Sequence, residues 1–243
     1  MVDAHCHLDL YPNPVTIAEE CEKLGIYTLS MTNLPSHFKM GFPHLSRFKK
    51  VRMALGMHPL YADRHKNELS LFAECVAQTS YIGEVGLDFS KEGIASKARQ
   101  ISTFEFVLNE LSGKNKILSL HSRGAEETVL EYLIEYNIKN AIFHWYSGSI
   151  KLIKDIVKAG FLFSINSAMI KTKVGQEVIK EIPLTHILTE SDGPFIYYQN
   201  RSIKPSDLHH VEKSIAMLHG IANTEMSTII RENFRKQINL LQA

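Results

Sequence analysis

Two histidines stand two residues apart near the start of the chain, in the stretch DAHCHLD (3–9). Alternate residues of an extended strand point to the same side, so His5 and His7 can bind one cation together. Cys6 points the opposite way, which predicts a packing role for its thiol. Imidazole nitrogens and carboxylate oxygens suit Zn, Mn, Fe or Mg to differing degrees. The stretch alone predicts either one half of a metal site or a pair of surface histidines.

Other metal-competent side chains follow, each near the end of a different short apolar run. They are Glu84, His121, His144 and Asp192. Any one of them alone is more often structural than a ligand, but their joint occurrence at the ends of separate runs favours ligands. Four histidines with two carboxylates suffice for two divalent ions, and Glu84 has two oxygens with which to bridge them.

The six residues divide between two ions in the expected site. One ion takes His5, His7, Glu84 and Asp192, and the other takes Glu84, His121 and His144. Ions in such pairs lie roughly 3.5–4 Å apart and polarise both an attacking water and a phosphoryl or carbonyl oxygen. Glu84 and Asp192 are the expected catalytic residues, with Asp192 accepting a proton from the attacking water.

Four more residues are predicted to contact the substrate, and each has a simpler alternative. They are His58, Arg123, Ser147 and Arg201. His58 precedes a proline and could only shape a turn, and Arg123 could hold a phosphate with its fork of donors or form a surface ion pair. Ser147 lies near the expected start of a helix, where free backbone N–H groups could bind an anion. The simpler alternative is that this stretch only caps the helix. Arg201 lies in YYQNRSIK (197–204), where aromatics and cations suit single-stranded nucleic acid or form an ordinary loop.

Eight strand-like runs alternate with amphipathic helical patterns and would position these residues. The runs are 2–8, 26–32, 51–57, 81–87, 116–122, 140–146, 161–166 and 186–191. Near-continuous apolar strands alternating with helices indicate a parallel sheet covered on both faces. Eight units predict an α/β fold, a single (β/α)8 TIM barrel over residues 1–243, with a doubly wound open sheet as the alternative. In a barrel, the C-terminal ends of all strands meet at one rim, where active sites lie.

Three further segments complete the expected architecture. Two more helices are expected after the eighth strand, around 206–219 and 224–237. GFPH (41–44) is expected to end a helix. The basic run RFKKVR (47–52) leads into the third strand, so it should lie at the opposite end of the barrel from the metals, as a solvated face.

Composition narrows the class of protein. The chain has 243 residues and a net charge of +1, so any nucleic-acid binding must come from a local patch. Three cysteines without a paired framework fit a reducing compartment. The sequence has no secretion signal pattern and no apolar run of about 18 residues. We therefore expect a cytoplasmic protein that does not bind a membrane.

Seven blocks of the sequence occur together in one known family. They are DAHCHLD, ALGMHP, IGEVGLDF, LHSRGA, HWYSGS, FSIN and LTESDGPF. With them the chain resembles the TatD-like metal-dependent deoxyribonucleases of the amidohydrolase superfamily. The resemblance implies a barrel with two divalent ions (Mg, Mn or Zn) that hydrolyses DNA phosphodiester bonds, as an exonuclease or end-processing enzyme on single strands or ends. The family's metal ligands fall on the six residues selected above.

The opening stretch, MTNLPSHF and HSRGA are also similar to the branch found in Qat anti-phage defence systems, which implies protein partners from a defence operon. Two loops depart from the family pattern, FSKEGIASKARQ after Asp88 and FIYYQNRSIKPSDL after Pro194, and both should affect substrate choice. Two alternatives remain. One is a metal-dependent amide, ester or lactone hydrolase, although these often have a carbamylated lysine where this chain has Glu84. The other is a non-catalytic subunit stabilised by metal.

Overall fold

The structure is a computed structural model that describes residues 1–242, and it contains all eight predicted strands. The strands are β1 (Val2–Cys6), β2 (Tyr27–Ser30), β3 (Val51–Met53), β4 (Tyr81–Gly86), β5 (Ile117–His121), β6 (Ala141–His144), β7 (Leu162–Ile165) and β8 (Ile187–Thr189). Each strand is shorter than its predicted run. In the predicted run 2–8, for example, the strand ends at Cys6. His7 therefore lies one residue beyond β1, with φ −97° and ψ 77°.

The strands close into a parallel barrel. Strands β1 to β3 pair in one sheet and β4 to β8 in another, with every neighbour parallel. Leu55 joins the two sheets at one side, because its N–H donates to Tyr81 O (3.0 Å) and its carbonyl accepts from Gly83 N (3.0 Å). At the other side, Asp192 N donates to His5 O (2.9 Å). The open-sheet alternative is therefore wrong.

Ten helices surround the barrel in the described part of the chain. They are α1 (Pro14–Leu24), α2 (Pro35–Leu45), α3 (Leu69–Cys75), α4 (Lys97–Leu111), α5 (Glu126–Glu135), α6 (Ile150–Lys158), α7 (Ser167–Ile170), α8 (Lys173–Glu181), α9 (His209–His219) and α10 (Asn223–Leu240). The last two match the helices expected near 206–219 and 224–237. GFPH (41–44) lies at the end of a helix as expected, since α2 stops one residue later, at Leu45.

Helix α1 shows how local sequence sets an element's bounds. The Asn13 side chain accepts a hydrogen bond from Thr16 N (3.2 Å), and Pro14 occupies the first helical position, where its missing N–H has no intrahelical partner to lose. Gly25 ends the helix in the left-handed region at φ 67°, which glycine adopts without a Cβ clash. The chain can then turn directly into β2.

The strand interiors are buried because both faces of the barrel wall are covered. All residues of β6, β7 and β8 are buried. Phe143 of β6 packs with Phe163 of β7 at a ring-centre distance of 6.1 Å. This continuous apolar wall explains why the strands read as apolar runs and not as alternating patterns. It also fixes the directions in which the strand ends present polar side chains.

The two ends of the barrel differ in what they carry. Strand β3 begins at Val51, so the basic run 47–52 lies at the N-terminal end, opposite the rim formed by the C-terminal strand ends, as expected. A hairpin of β9 (Tyr197–Tyr198) and β10 (Arg201–Ser202) follows β8. No helix among residues 1–242 is long and apolar enough to cross a lipid bilayer.

Candidate metal centre

Glu84 lies at the centre of the rim and faces two sets of histidines with its two oxygens. It belongs to β4 and is 3% exposed. Its Oε2 lies 3.2 Å from His7 Nε2 and 3.7 Å from His5 Nε2. Its Oε1 lies 2.5 Å from His121 Nδ1 and 3.2 Å from His144 Nε2. One carboxylate therefore touches both predicted halves of the site.

Asp192 completes the cluster from the far side. Its Oδ1 lies 3.9 Å from His5 Nε2 and 4.0 Å from His7 Nε2. Its backbone lies in the left-handed region at φ 45°, where a non-glycine residue is strained, and its N–H donates to His5 O (2.9 Å). This bond from the segment after β8 to β1 places Asp192 beside the histidine pair.

Potential ligand atoms converge in three trios, in each of which all atoms lie within 4.8 Å of one another. The trios are His5, His7 and Glu84; His5, His144 and Asp192; and His58, Glu84 and His121. The structure thus brings together all six residues that the sequence selects. It differs in grouping, because His144 joins His5 and Asp192, whereas the trio of His121 includes His58.

Burial and crowding shift the pKa values of these groups. Burial alone would raise the pKa of Glu84, but the surrounding imidazoles outweigh it and hold the pKa well below its usual range. Burial raises the pKa of Asp192 to about 7. For His5, burial and the neighbouring His144 lower the pKa well below its usual range. The cluster therefore places an ionised Glu84 beside a neutral His5, and the neutral form is the one in which histidine binds metals.

The arrangement fits divalent cations on its own geometry. His5 Nε2 and His7 Nε2 lie 3.3 Å apart and both face Glu84. The other ring nitrogen of His5 bonds Ser119 Oγ at 2.7 Å, which fixes the ring and leaves Nε2 turned to the cluster. Two ring nitrogens in such proximity are compatible with a shared cation between them. The residues present therefore suit a metal centre.

Two carboxylates behind the cluster were given no role by the sequence. Asp88 Oδ2 lies 2.7 Å from His121 Nε2 and is fully buried, so it orients that ring from behind. Glu190 is fully buried, and its Oε1 lies 3.6 Å from His144 Nδ1. Both lie just beyond strand ends, at the same rim as the ligands. That placement was the only sequence signal for them, because partners behind a histidine have no fixed spacing from it.

A cavity of about 470 Å³ opens over the centre. Of the predicted substrate contacts, His58, Arg123 and Ser147 line it. Arg123 Nη1 also lies 2.6 Å from Glu92 Oε2 in an exposed ion pair, and Ser147 Oγ donates to Glu126 Oε1 (3.1 Å). The N-cap of α6 is Ser149, whose side chain accepts from Leu152 N. Each of the three thus has both cavity access and a protein contact.

Arg201 is placed differently, since it does not line this cavity. Its Nη1 and Nη2 bond the two oxygens of Asp207, each at 2.7 Å. In the same hairpin, Tyr198 stacks on His210 with ring centres 4.1 Å apart, while Tyr197 is exposed. In the structure Arg201 therefore forms an ion pair within the protein, and its contact with substrate stays a prediction.

Two aromatic side chains at the cavity mouth were not selected from the sequence. Trp145 directly follows His144, and Phe195 follows Pro194. They line the cavity at 38% and 56% exposure, which is high for such large apolar groups. The ring of Phe195 meets His7 edge-on, with ring centres 5.1 Å apart. Trp145 is the only tryptophan in the chain and directly follows a predicted ligand, so the sequence contained a signal for its place at the site.

Known proteins share this architecture and parts of the sequence. A putative deoxyribonuclease TATDN1 homologue from Vairimorpha ceranae is 28% identical over 73% of this chain and 71% of its own length. An uncharacterized metal-dependent hydrolase from Buchnera aphidicola is 26% identical over 99% of both chains. The crystal structure of YJJV, a TatD homologue from Escherichia coli, superposes with a TM-score of 0.85 at 20% identity, covering 96% of this chain and 95% of its own. The last likeness establishes the shared fold.

The parallel barrel and the cluster at its rim, with these relatives, define the class: a metal-dependent hydrolase built on a (β/α)8 barrel. Within that class, the family model described as TatD related DNase matches residues 2–239. The chain therefore belongs to the TatD-related DNase family.

Proposed function

We propose that this hydrolase is a dinuclear phosphodiesterase that cleaves DNA at single strands or ends. The observation that carries the proposal is the position of Glu84. Its two oxygens face two different sets of imidazoles, so that one buried carboxylate serves both. Sites with two divalent ions stabilise the attacking and leaving oxygens of a phosphoryl displacement, and a bridging carboxylate suits them.

The proposed ligands follow the six residues of the rim. His5, His7, Glu84 and Asp192 would hold one ion, and His121 and His144, with the second oxygen of Glu84, would hold the other. When bound, the two ions, which we propose to be Mg, Mn or Zn, supply Lewis-acid stabilisation of the phosphoryl charge. His58 stands beside the second set, with its Nε2 3.3 Å from Glu84 Oε1.

The protein's own groups supply the proton acceptor and the substrate contacts. Asp192 lines the cavity, and its raised pKa of about 7 suits it to accept a proton from the attacking water near neutral pH. Arg123 and Ser147 would contact the phosphate that is cleaved. Trp145 and Phe195 would stack on the adjoining bases, since aromatic rings bind bases with little sequence preference.

The size of the cavity supports action at ends or single strands. At about 470 Å³ it lies in the lower part of the range for small-molecule sites, which suits one nucleotide better than an intact duplex. A base within a duplex would have to unstack before it entered. The name deoxyribonuclease borne by a relative, and the family description, support DNA as the substrate.

The decisive experiment incubates the purified protein with end-labelled single- and double-stranded DNA, with Mg, Mn or Zn or with a chelator. We expect metal-dependent release of labelled nucleotides, and we expect Asp192→Asn to slow it by about 10² to 10⁴-fold. Lys154→Gln on the outer face of α6 is the control and should cleave like wild type. Unchanged cleavage by Asp192→Asn, or none by wild type, would overturn the proposal. Hydrolysis of amides or lactones with DNA intact would identify the other hydrolase class.

We further propose that the protein acts in the cytoplasm beside partners from an anti-phage operon. This proposal is supported by the resemblance of MTNLPSHF and HSRGA to the Qat branch, and by three buried cysteines without disulfides. Phage-plaque counts with and without Asp192→Asn in the whole operon test it. Protection that depends on Asp192 supports a catalytic role. Protection that persists, with partner pull-down intact, would support a non-catalytic subunit.

A further inference from the structure

A second cavity lies at the N-terminal end of the barrel, opposite the metal centre. It measures about 360 Å³ and is formed by the starts of β1 to β4 and by one face of α10. Four cations line it: Lys50, Arg52, Arg231 and Arg235. Its position includes the end of the basic run 47–52, which plays no part in the proposed hydrolysis.

The cavity carries charge of one sign. None of the residues that line it is acidic, and among residues 1–242 none of its four cations forms an ion pair with a carboxylate. The whole chain has 27 basic and 26 acidic residues, so the cluster does not follow from overall charge. Unneutralised cations around a concave surface attract anions. The cavity therefore favours an anionic ligand.

Helix dipoles do not account for the two arginines of α10. Cations are often found in the last turn of a helix because they stabilise its C-terminal carbonyls. Arg231 and Arg235 instead lie well inside Asn223–Leu240, one turn apart, so both project from the same face. Arg52 is held in place by hydrogen bonds from its Nη1 to Phe48 O (2.8 Å) and Val51 O (3.0 Å).

Aromatic rings form the other part of the cavity wall. Tyr27, the first residue of β2, is 43% exposed although it lies beside the buried Phe234, at a ring-centre distance of 6.0 Å. Lys50 Nζ lies 3.9 Å from the centre of the Tyr27 ring. Tyr81 contributes a third ring beside Arg52. Cations and aromatic faces are thus presented together, as in sites that bind a base and its phosphate.

We propose that this cavity binds a nucleotide, with its base against the exposed ring of Tyr27 and its phosphate among the four cations. A neighbouring cavity of about 400 Å³ shares Arg52 and Tyr81 and is lined by Arg47 and Lys49, which extends the cationic surface. The site lies at the end of the barrel that does not carry the metal centre. The proposal therefore does not depend on the DNA-cleaving function.

Calorimetric titration of the metal-free protein with AMP, adenosine and ribose 5-phosphate tests the proposal. AMP is expected to bind at least about tenfold more tightly than either half, because only AMP engages both rings and cations. The double variant Arg231→Gln/Arg235→Gln should weaken AMP binding by about tenfold or more. Lys154→Gln, which also removes a helix-surface cation, should bind like wild type. DNA cleavage should be unchanged in the arginine double variant and in Lys154→Gln.

Several outcomes would overturn the proposal. Equal binding of AMP and ribose 5-phosphate would show that the cavity binds anions without recognising the base. Absence of AMP binding would show that the cavity is not a nucleotide site. AMP binding lost in Asp192→Asn but kept in the arginine double variant would place the nucleotide in the metal centre. A short single-stranded oligonucleotide that displaces AMP, and whose binding depends on the same arginines, would identify the source as a strand terminus instead of a free nucleotide.

Discussion

At the scale of single residues, the carboxylates behind the cluster set the orientation of its imidazoles. Glu190 Oε1 accepts hydrogen bonds from Asn166 Nδ2 (2.8 Å) and Trp145 N (3.1 Å), and its Oε2 accepts one from Ser164 Oγ. These bonds hold the carboxylate rigidly beside His144. The charge of Glu190 also raises the pKa of His144, although burial alone would lower it.

Glu190→Gln should therefore weaken metal binding without unfolding the protein. Replacing such a supporting group typically costs about 10- to 100-fold in metal affinity or activity, because the ring loses its orientation and part of its basicity. Metal titration by calorimetry, with circular dichroism to check the fold, measures the change. Glu212→Gln removes another buried carboxylate, one that bonds Ser227 away from the rim, and should leave the affinity unchanged. Equal losses in both variants would indicate a general effect of removing buried charge.

His58 has two possible roles, and metal content separates them. Its Nε2 lies 3.3 Å from Glu84 Oε1, its Nδ1 accepts from Leu60 N (3.1 Å), and burial lowers its pKa to about 4. It is therefore neutral near pH 7, as a metal ligand must be.

His58→Gln should bind one ion about tenfold or more weakly and keep the other, because His58 shares a trio with Glu84 and His121, whereas His5 and His7 belong to other trios. Elemental analysis after dialysis measures the number of ions bound. The exposed His44→Gln variant is the control and should keep the wild-type number. If His58→Gln keeps both ions and only raises KM for DNA, His58 contacts the substrate, as the sequence predicts.

At the scale of elements, the sequence predicts the strands and the rim better than their partners. Each apolar run became a strand, because a wall buried on both faces requires apolar residues throughout. His5, Glu84 and Asp192 were identifiable because strand ends converge in a barrel. Asp88 and Glu190 lie at the same rim, but their role behind a ligand could not be predicted from that position, because it depends on packing between strands. The Arg201 contact with Asp207 was also unpredictable, since the loop after Pro194 has no periodic pattern.

An ion pair between Arg201 and Asp207 stabilises the hairpin after β8. Burial alone would raise the pKa of Asp207, but bonds from Arg201 and from Lys204 N outweigh it and lower the pKa. A carboxyl with a lowered folded-state pKa stabilises the fold fully above its unfolded pKa of about 4, and the contribution is lost as the pH falls through the folded value.

Arg201→Gln should cost about 1 kcal/mol at pH 7, a modest value because Arg201 is 45% exposed. The cost should begin to shrink as the pH falls below about 4, where Asp207 is protonated in the unfolded chain, and should vanish below the lower pKa that Asp207 has in the folded protein. Urea unfolding of both proteins at pH 7 and at acidic pH measures it, with Arg99→Gln, from an exposed pair with Asp63, as the control. A normal stability combined with slower DNA cleavage would instead support the predicted substrate contact.

At the scale of the whole molecule, the candidate centre draws its residues from most of the barrel. His5 comes from β1, Glu84 from β4, His121 from β5 and His144 from β6, and Asp192 follows β8. The first strand of the barrel and the segment after its last strand therefore meet at this centre. Since the unfolded chain has no preformed site, an ion that binds here stabilises the closed barrel.

Mn added at about 100 times its Kd should stabilise the fold by about 2.7 kcal/mol, which corresponds to a rise in Tm of roughly 5–10 °C for a chain of this size. The rise should be reversed by chelator and should fade at acidic pH, because imidazoles must lose their protons to bind metal. Differential scanning calorimetry measures it. His44→Gln should keep the full rise, whereas Asp192→Asn should show less of it because a ligand is lost. A Tm that does not respond to Mn at any pH would show that the rim does not hold an ion in the folded state.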